Sequence, residues 1–255
     1  MHKPLTILHL SDLHFGRIDQ SVLLNLKKFI EEHKDTITHY ILTGDLTQRA
    51  RSHEFVSAGD FLKTLNKPLF LVPGNHDIPL YNLYQRLFSP YKKFLRFFKS
   101  HSQNFYEDDQ LAIFGLWTTN TLTVSQGKIK QKQLNELKEK FQHVKADKVR
   151  IIASHHPVFS KNDPMNKKSQ DEILKLEPHL VLSGHEHFAE ARHFSEDLNL
   201  PIVVSSGTST STRLRVQSNG FNVIQVVNRE IEVKIFQFDA KTGEFMCEEK
   251  FTSNF

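Results

Sequence analysis

Five short clusters of Asp, Asn and His punctuate this chain: Asp12-Leu13-His14, Gly44-Asp45, Gly74-Asn75-His76-Asp77, His155-His156-Pro157 and Gly184-His185-Glu186-His187. Each lies where an apolar run of strand character gives way to a turn. Asp and Asn offer hard oxygen ligands, and neutral His offers a borderline nitrogen. That mixture suits Mn²⁺, Fe²⁺, Zn²⁺ or Co²⁺ better than Ca²⁺. No thiol takes part, which argues against a structural zinc site. The clusters together supply enough donors for two divalent ions. Two such ions about 3.5–4 Å apart acidify a shared water and clamp phosphoryl oxygens during an in-line displacement. The chemistry indicated is metal-activated water attacking phosphorus. A leaving alkoxide then needs a proton, and His76, beside Asn75, is the candidate general acid. Asp77 could orient His76 by a hydrogen bond, or cap the following helix at Ile78-Pro79. Any one cluster alone reads equally well as turn-forming residues with a core histidine. All five, in order and each after a buried run, do not.

Such distant loops meet only if a fold gathers them. Leu5 to Leu10 reads as a strand, and Ser21 could cap a helix whose apolar positions Val22, Leu23, Leu26, Phe29 and Ile30 recur at helical spacing. Tyr40 to Leu42 is a strand, Glu54 to Leu65 a helix and Leu69 to Val72 a strand. This βαβαβ rhythm implies parallel strands joined by right-handed crossovers. A looser repeat follows: strand Leu111 to Leu116, helix Lys130 to Phe141, strand Val149 to Ala153, helix Gln170 to Leu176 and strand Leu180 to Leu182. The ending is β-rich, with runs at Pro201 to Ser205, Phe221 to Val227 and Glu230 to Phe238. Asn228-Arg229 is a hairpin turn without the usual glycine. The clusters fall at C-terminal strand ends, where loops of α/β folds converge into a site. The expected fold is α/β, one domain over 1–255 with two sheets, each covered by helices on its outer face.

At 255 residues the chain can bury a sizeable core. Its net charge of +4 favours anionic substrates. A stable nucleic-acid complex is not expected. Cys247 is the single cysteine, which fits a reducing compartment. The start lacks the pattern of a signal peptide, and no run approaches the roughly 20 apolar residues of a membrane span. The expectation is a cytoplasmic protein, peripheral to the membrane at most.

The order DxH, GD, GNHD, H-x-P, GHxH resembles the calcineurin-like metallophosphoesterase superfamily, from Asp12 to His187 and less specifically through Gly207-Thr208-Ser209-Thr210-Ser211. The HHP and GHEH forms are most similar to bacterial class III cyclic-nucleotide phosphodiesterases. The resemblance implies a four-layer α/β/β/α sandwich with two mixed sheets. It implies one metal on Asp12, His14, Asp45 and His187, and another on Asp45, Asn75, His155 and His185, with Asp45 bridging. His156 receives no ligand role. It also implies hydrolysis of a phosphodiester, with a 3',5'-cyclic nucleotide as the suggested substrate. The Ser/Thr protein phosphatase branch carries an aspartate three residues after the bridging one. Here that residue is Gln48, so a His–Asp relay of that type is not expected.

Between Asp77 and Glu107 there is no acidic residue. The 79–100 segment is instead basic and aromatic. Leu80, Tyr84, Leu87, Tyr91, Phe94, Leu95 and Phe98 form a stripe at helical spacing, with a break at Ser89-Pro90 read as an N-cap and first-turn proline. One reading docks that stripe on the core. Another makes the segment a cap, or a membrane-surface patch at 80–99, for a lipid-bearing substrate such as UDP-2,3-diacylglucosamine. Arg213 and Arg215 could grip a substrate phosphate. A third possibility, a non-catalytic binding scaffold, would require lost ligands, and none is lost.

Overall fold

A computed structural model describes residues 4–123, 125–159, 167–195 and 201–255. The first half runs β1 (Leu5–Leu10), α1 (Gln20–Glu32), β2 (His39–Leu42), α2 (Ser52–Leu62), β3 (Leu69–Leu71), α3 (Leu83–Phe88) and α4 (Lys92–Phe98). The second runs β4 (Phe105–Glu107), β5 (Leu111–Leu116), α5 (Gln131–Phe141), β6 (Val149–Ser154), α6 (Lys167–Leu174) and β7 (Leu180–Ser183). It ends in strands β8 (Glu190–His193), β9 (Ile202–Ser205), β10 (Gly220–Val227), β11 (Glu230–Asp239) and β12 (Glu244–Asn254).

These strands form two mixed sheets, ordered β12-β11-β10-β1-β2-β3 and β4-β5-β6-β7-β9-β8. The strands that end in motif loops are parallel within each sheet: β1, β2 and β3 in one, β6 and β7 in the other. Strand alternation sends Leu5 and Ile7 of β1 into the space between the sheets, with Ile41, Phe70, Ile113, Ile151, Leu182 and Val204. Leu8 and Leu10 point the other way, onto Leu26, Phe29, Phe55 and Phe61 of α1 and α2. On the far sheet, Leu134, Leu137 and Phe141 of α5 cover Phe114, Ile152 and Val181. The expected α/β/β/α layering is therefore observed.

Local signals shift in instructive ways. Asp19, not Ser21, caps α1: its carboxylate accepts the Ser21 and Val22 amides at 3.0 and 3.2 Å. Helix α4 begins at Lys92, beyond Ser89-Pro90, whose carbonyl end serves a preceding turn through Lys92 N to Ser89 O at 3.2 Å. The Asn228-Arg229 hairpin forms without glycine, both residues taking positive φ (49° and 68°). The Arg229 carbonyl accepts the Phe255 amide at 3.1 Å, tying this turn to the last strand. Strands β4, β8 and β12 were not expected. All three lie at sheet edges, pair on one side only and carry mixed polar residues that mask any period of two.

His179 gives a stability prediction. Its Nδ1 accepts the Arg150 amide at 2.9 Å. Burial, with Arg150 and Arg229 nearby, lowers its pKa from 6.5 to about 4. The unfolded imidazole takes up its proton first, so stability falls as pH drops from about 6.5 towards 4. Urea unfolding at about pH 5 is expected to show a loss of roughly 2 kcal/mol from this group relative to neutrality. His179→Gln should lose less over the same step; an identical loss would acquit His179.

Candidate metal centre

The motif residues occupy the loops just after β1, β2, β3, β6 and β7, at the C-terminal ends of parallel strands. Main-chain bonds tie these loops together. Asp12 N donates to Gly44 O at 3.0 Å, His14 N to Asp45 O at 2.9 Å and Gly184 N to His155 O at 3.0 Å. Asp12, His14, Asp45, His185 and His187 all take positive φ, between 51° and 69°. Non-glycine residues held there cost about 1–3 kcal/mol each, strain that persists where the surroundings over-determine it.

Each buried carboxylate divides its oxygens between scaffold and centre. Asp12 Oδ2 accepts from Ser11 Oγ at 2.7 Å and from the His185 amide at 3.0 Å. Its Oδ1 has no hydrogen-bond donor among the described residues, and lies 3.5 Å from His14 Nε2 and 3.4 Å from His187 Nε2. Asp45 Oδ1 accepts the His76 amide at 2.8 Å, while Oδ2 lies 3.8 Å from His14 Nε2 and 3.4 Å from His155 Nε2. A second group of donors closes beside it. Asn75 Oδ1 lies 3.0 Å from His155 Nε2 and 3.1 Å from His185 Nδ1, and those two nitrogens are 3.2 Å apart.

Such spacing fits a pair of cations. Ligand bonds of roughly 2.0–2.2 Å place neighbouring donors about 3–3.5 Å apart. The outer edges of the imidazoles are already anchored: His155 Nδ1 donates to Thr43 O at 2.7 Å, and His187 Nδ1 faces Thr208 Oγ1 at 2.5 Å and Arg213 O at 3.2 Å. That leaves Nε2 of each ring for the centre. Electrostatics agree. Burial opposes charge on Asp12 and Asp45, yet the surrounding histidines hold both carboxyls well below the usual range. Burial also opposes charge on His155, but Asp45 lifts its pKa to about 9. Two buried carboxylates thus remain ionised and pull positive charge into the cluster.

Two clusters, Asp12–His14–His187 and Asp12–Asp45–His155, each have donor atoms within 4.8 Å of one another. His155, His156 and His185 form a third such group. His156 had no role in the sequence. Its Nδ1 pairs with Thr118 Oγ1 at 2.9 Å, its Nε2 has no partner among the described residues, and its ring centroid lies 4.3 Å from that of His185. The doubled histidine of HHP was the signal available.

His76 sits at the rim. Its Nδ1 donates to the carbonyl of Gln48 at 2.7 Å, and its Nε2 accepts from Arg213 Nη1 at 2.9 Å. The ring is therefore oriented by the main-chain oxygen of Gln48. Asp77 takes no part in that. Its carboxylate accepts from the Gly74, Leu46 and Thr47 amides (2.9, 3.2 and 2.8 Å) and from Thr47 Oγ1, locking two motif loops together. Burial first, then Asp45, raises its pKa to about 6. The Asp77 readings as an orienter of His76 or a helix cap both give way to this bracing role.

Beyond His76 opens a cleft of about 290 Å³ lined by Arg17, Gln48, Arg49, His76, Leu80, Tyr81 and Arg213. Arg213 lines it. Arg215 does not: it is exposed, with Nη1 3.5 Å from the Glu186 carbonyl. Arg17 and Arg49 were missed, although each closes a motif, in DLHFGR and GDLTQR. The 79–100 stripe divides. Phe94 and Phe98 of α4 are buried beside Phe55 and Trp117, but Tyr84 and Leu87 of α3 face solvent. The break before Lys92 changes the phase of the stripe, and Arg86 takes the inner face of α3.

A sequence model of the calcineurin-like phosphoesterase family matches residues 5–189, which contain every one of these ligand candidates. The chain is a calcineurin-like phosphoesterase. It is 25% identical over 209 residues to a 3',5'-cyclic adenosine monophosphate phosphodiesterase from Haemophilus influenzae, covering 72% of this chain and 71% of that one. Its fold is similar to that of a dimetal phosphatase from Danio rerio (TM-score 0.65, 12% identity, 98% of both chains). It is also similar to a purple acid phosphatase from yellow lupin (TM-score 0.69, 14% identity), covering all of this chain and 54% of the lupin chain. This phosphoesterase is thus a hydrolase of phosphoester bonds whose residues present a two-metal donor set.

Proposed function

We propose that this phosphoesterase cleaves a phosphodiester in a small anionic substrate, a 3',5'-cyclic nucleotide being the leading candidate. The observation that carries the reading is the division of oxygens on Asp12 and Asp45, which aims one ionised atom of each at a cluster of imidazoles beside a cationic cleft. When bound, a pair of divalent cations (Mn, Fe, Zn or Co) supplies an acidified water and offsets phosphoryl charge. Asp12, His14, Asp45 and His187 would hold one ion, and Asp45, Asn75, His155 and His185 would hold the other. Arg17, Arg49 and Arg213 draw the anionic substrate into the cleft. When Arg213 turns from His76 to a phosphoryl oxygen, Nε2 is free to take up a proton from solvent and pass it to the leaving oxygen. The Gln48 carbonyl keeps the ring turned to the cleft throughout. The cyclic-nucleotide assignment draws support from the Haemophilus influenzae relative.

A second reading, a lipid-linked pyrophosphate such as UDP-2,3-diacylglucosamine, is favoured by one observation, the exposed apolar face of α3 beside the cleft. Metal-reconstituted protein assayed on cyclic AMP, cyclic GMP, bis(p-nitrophenyl) phosphate and UDP-2,3-diacylglucosamine separates the two. Turnover of no phosphoester would refute the proposal. In the same assay His76→Gln is expected to lose about 10²–10⁴-fold on a cyclic nucleotide. It should lose far less on bis(p-nitrophenyl) phosphate, whose leaving phenolate needs no proton. Equal losses on both would remove His76 from proton transfer.

A further inference from the structure

Helix α3 is built with its polarity inverted. Its one buried side chain is Arg86. That guanidinium donates from Nε to Thr121 O at 3.0 Å, from Nη1 to Pro79 O at 3.1 Å and from Nη2 to Asn120 O and Thr123 O at 3.2 and 2.6 Å. Four carbonyls thus satisfy a buried cation and pin the helix by its polar side. The rest of the helix surface and its flanks carries large apolar groups into water. Tyr81, Leu83, Tyr84, Leu87 and Phe88, with Leu122 from the loop that holds Arg86, are between 48 and 82% exposed. Tyr84 and Phe88 touch, with ring centroids 4.9 Å apart. Ordinary amphipathic packing would place these groups inside and the arginine outside. Since Arg86 fixes the helix in the reverse sense, the exposed face is a built surface rather than a helix that failed to dock.

Charge says what covers it. From 78 to 106 the chain contains no carboxylate. Arg49 lies 5.9 Å from the Tyr81 ring, and Lys92 and Arg96 of the adjoining α4, with Lys99 just beyond its end, are exposed. A second copy of this chain meeting the patch about a two-fold axis would set cations against cations. A bilayer with anionic headgroups meets both features together, with aromatic and leucine side chains entering the interface and basic ones the headgroup layer. No helix among the described residues is long and apolar enough to cross a membrane, so the contact is superficial.

We propose that the α3 face is a membrane-docking surface that seats the protein on an anionic bilayer. Tyr81 belongs to both the patch and the cleft, so docking brings the cleft mouth to the headgroup layer. This inference concerns adsorption and stands apart from the catalytic reading: a protein without phosphodiesterase activity would still be tested by it.

The experiment is co-sedimentation with vesicles of phosphatidylcholine, with and without phosphatidylglycerol, accompanied by sedimentation of the protein alone. Binding is expected only to the vesicles containing phosphatidylglycerol. It should weaken about tenfold or more in Tyr84→Ser/Phe88→Ser, whose exposed rings can be removed without opening the core. Each of Lys92→Gln and Lys99→Gln should cost roughly fivefold. No binding to either vesicle, or binding that the aromatic variant leaves intact, overturns the proposal. A concentration-dependent dimer that the aromatic variant abolishes, without vesicle binding, overturns it in favour of self-association.

Discussion

Asp45→Asn is expected to leave a folded protein with turnover reduced by about 10³-fold or more, the scale of losing a charged group aimed at the reacting centre. The substitution is nearly isosteric, and it retains an Oδ1 that can accept the His76 amide, now at 2.8 Å. What changes is the other atom. Asp45 Oδ2, 3.4 Å from His155 Nε2 and 3.8 Å from His14 Nε2, becomes an amide NH₂ that cannot serve as a ligand. The fold should persist because Oδ1 keeps the His76 amide, although the pairing of Oδ2 with His155 Nε2 is lost. Thermal unfolding with and without Mn²⁺ separates the two effects. A ligand at about 100 times its Kd stabilises by roughly 2.7 kcal/mol, or about 5–10 °C for a chain of this size. The wild type should gain a shift of that order and the variant less than half of it. Turnover within about tenfold of wild type would show that Asp45 does not join two ions.

The centre was far more legible than its surroundings, for a physical reason. A donor set for a cation pair would restrict residue type as well as position, so the candidates Asp12, His14, Asp45, Asn75, His155, His185 and His187 stand out by type. The structure brings all seven together. The strand ends that position them were equally visible, since β1, β2, β6 and β7 are largely buried on both faces and read as mainly apolar runs. The cleft was not visible. An exposed arginine looks the same in sequence whether it faces a site, as Arg17 and Arg49 do, or a neighbouring carbonyl, as Arg215 does. Asp77 misled because it adjoins His76 in sequence. Besides the nearby Gly74 amide, its partners are on Leu46 and Thr47, about thirty residues away. Helix α3 misled because apolar spacing reports a face without saying which way it points. Only the four carbonyls around Arg86 decide that.

Gly184→Ala should damage both stability and activity, because the centre rests on a close contact between the two sheets. A Cβ at Gly184 would stand 1.8 Å from Ser11 Oγ, 2.8 Å from Ser11 Cβ and 2.7 Å from Asp12 Oδ2. Contacts below 3.0 Å oblige something to move, and here what moves is the pair of groups that aims Asp12. Ser11 Oγ donates to Asp12 Oδ2 at 2.7 Å, and the amide of His185, the next residue, donates to the same atom at 3.0 Å. Pushing the β1 loop away from the β7 loop therefore turns Asp12 Oδ1 off the centre and separates it from His187. Overpacking of this kind costs about 1–3 kcal/mol. A displacement of about 1 Å in a group positioned for reaction costs roughly 10²-fold in rate. The contrast is Gly207→Ala. A Cβ there meets only Ala189 atoms at 3.7 Å, an ordinary contact, so stability should stay within about 0.5 kcal/mol of wild type. Urea unfolding and turnover of bis(p-nitrophenyl) phosphate, measured on both variants, check the pair. If Gly184→Ala behaved like Gly207→Ala, the two loops would not be held as closely as the Asp12 hydrogen bonds require.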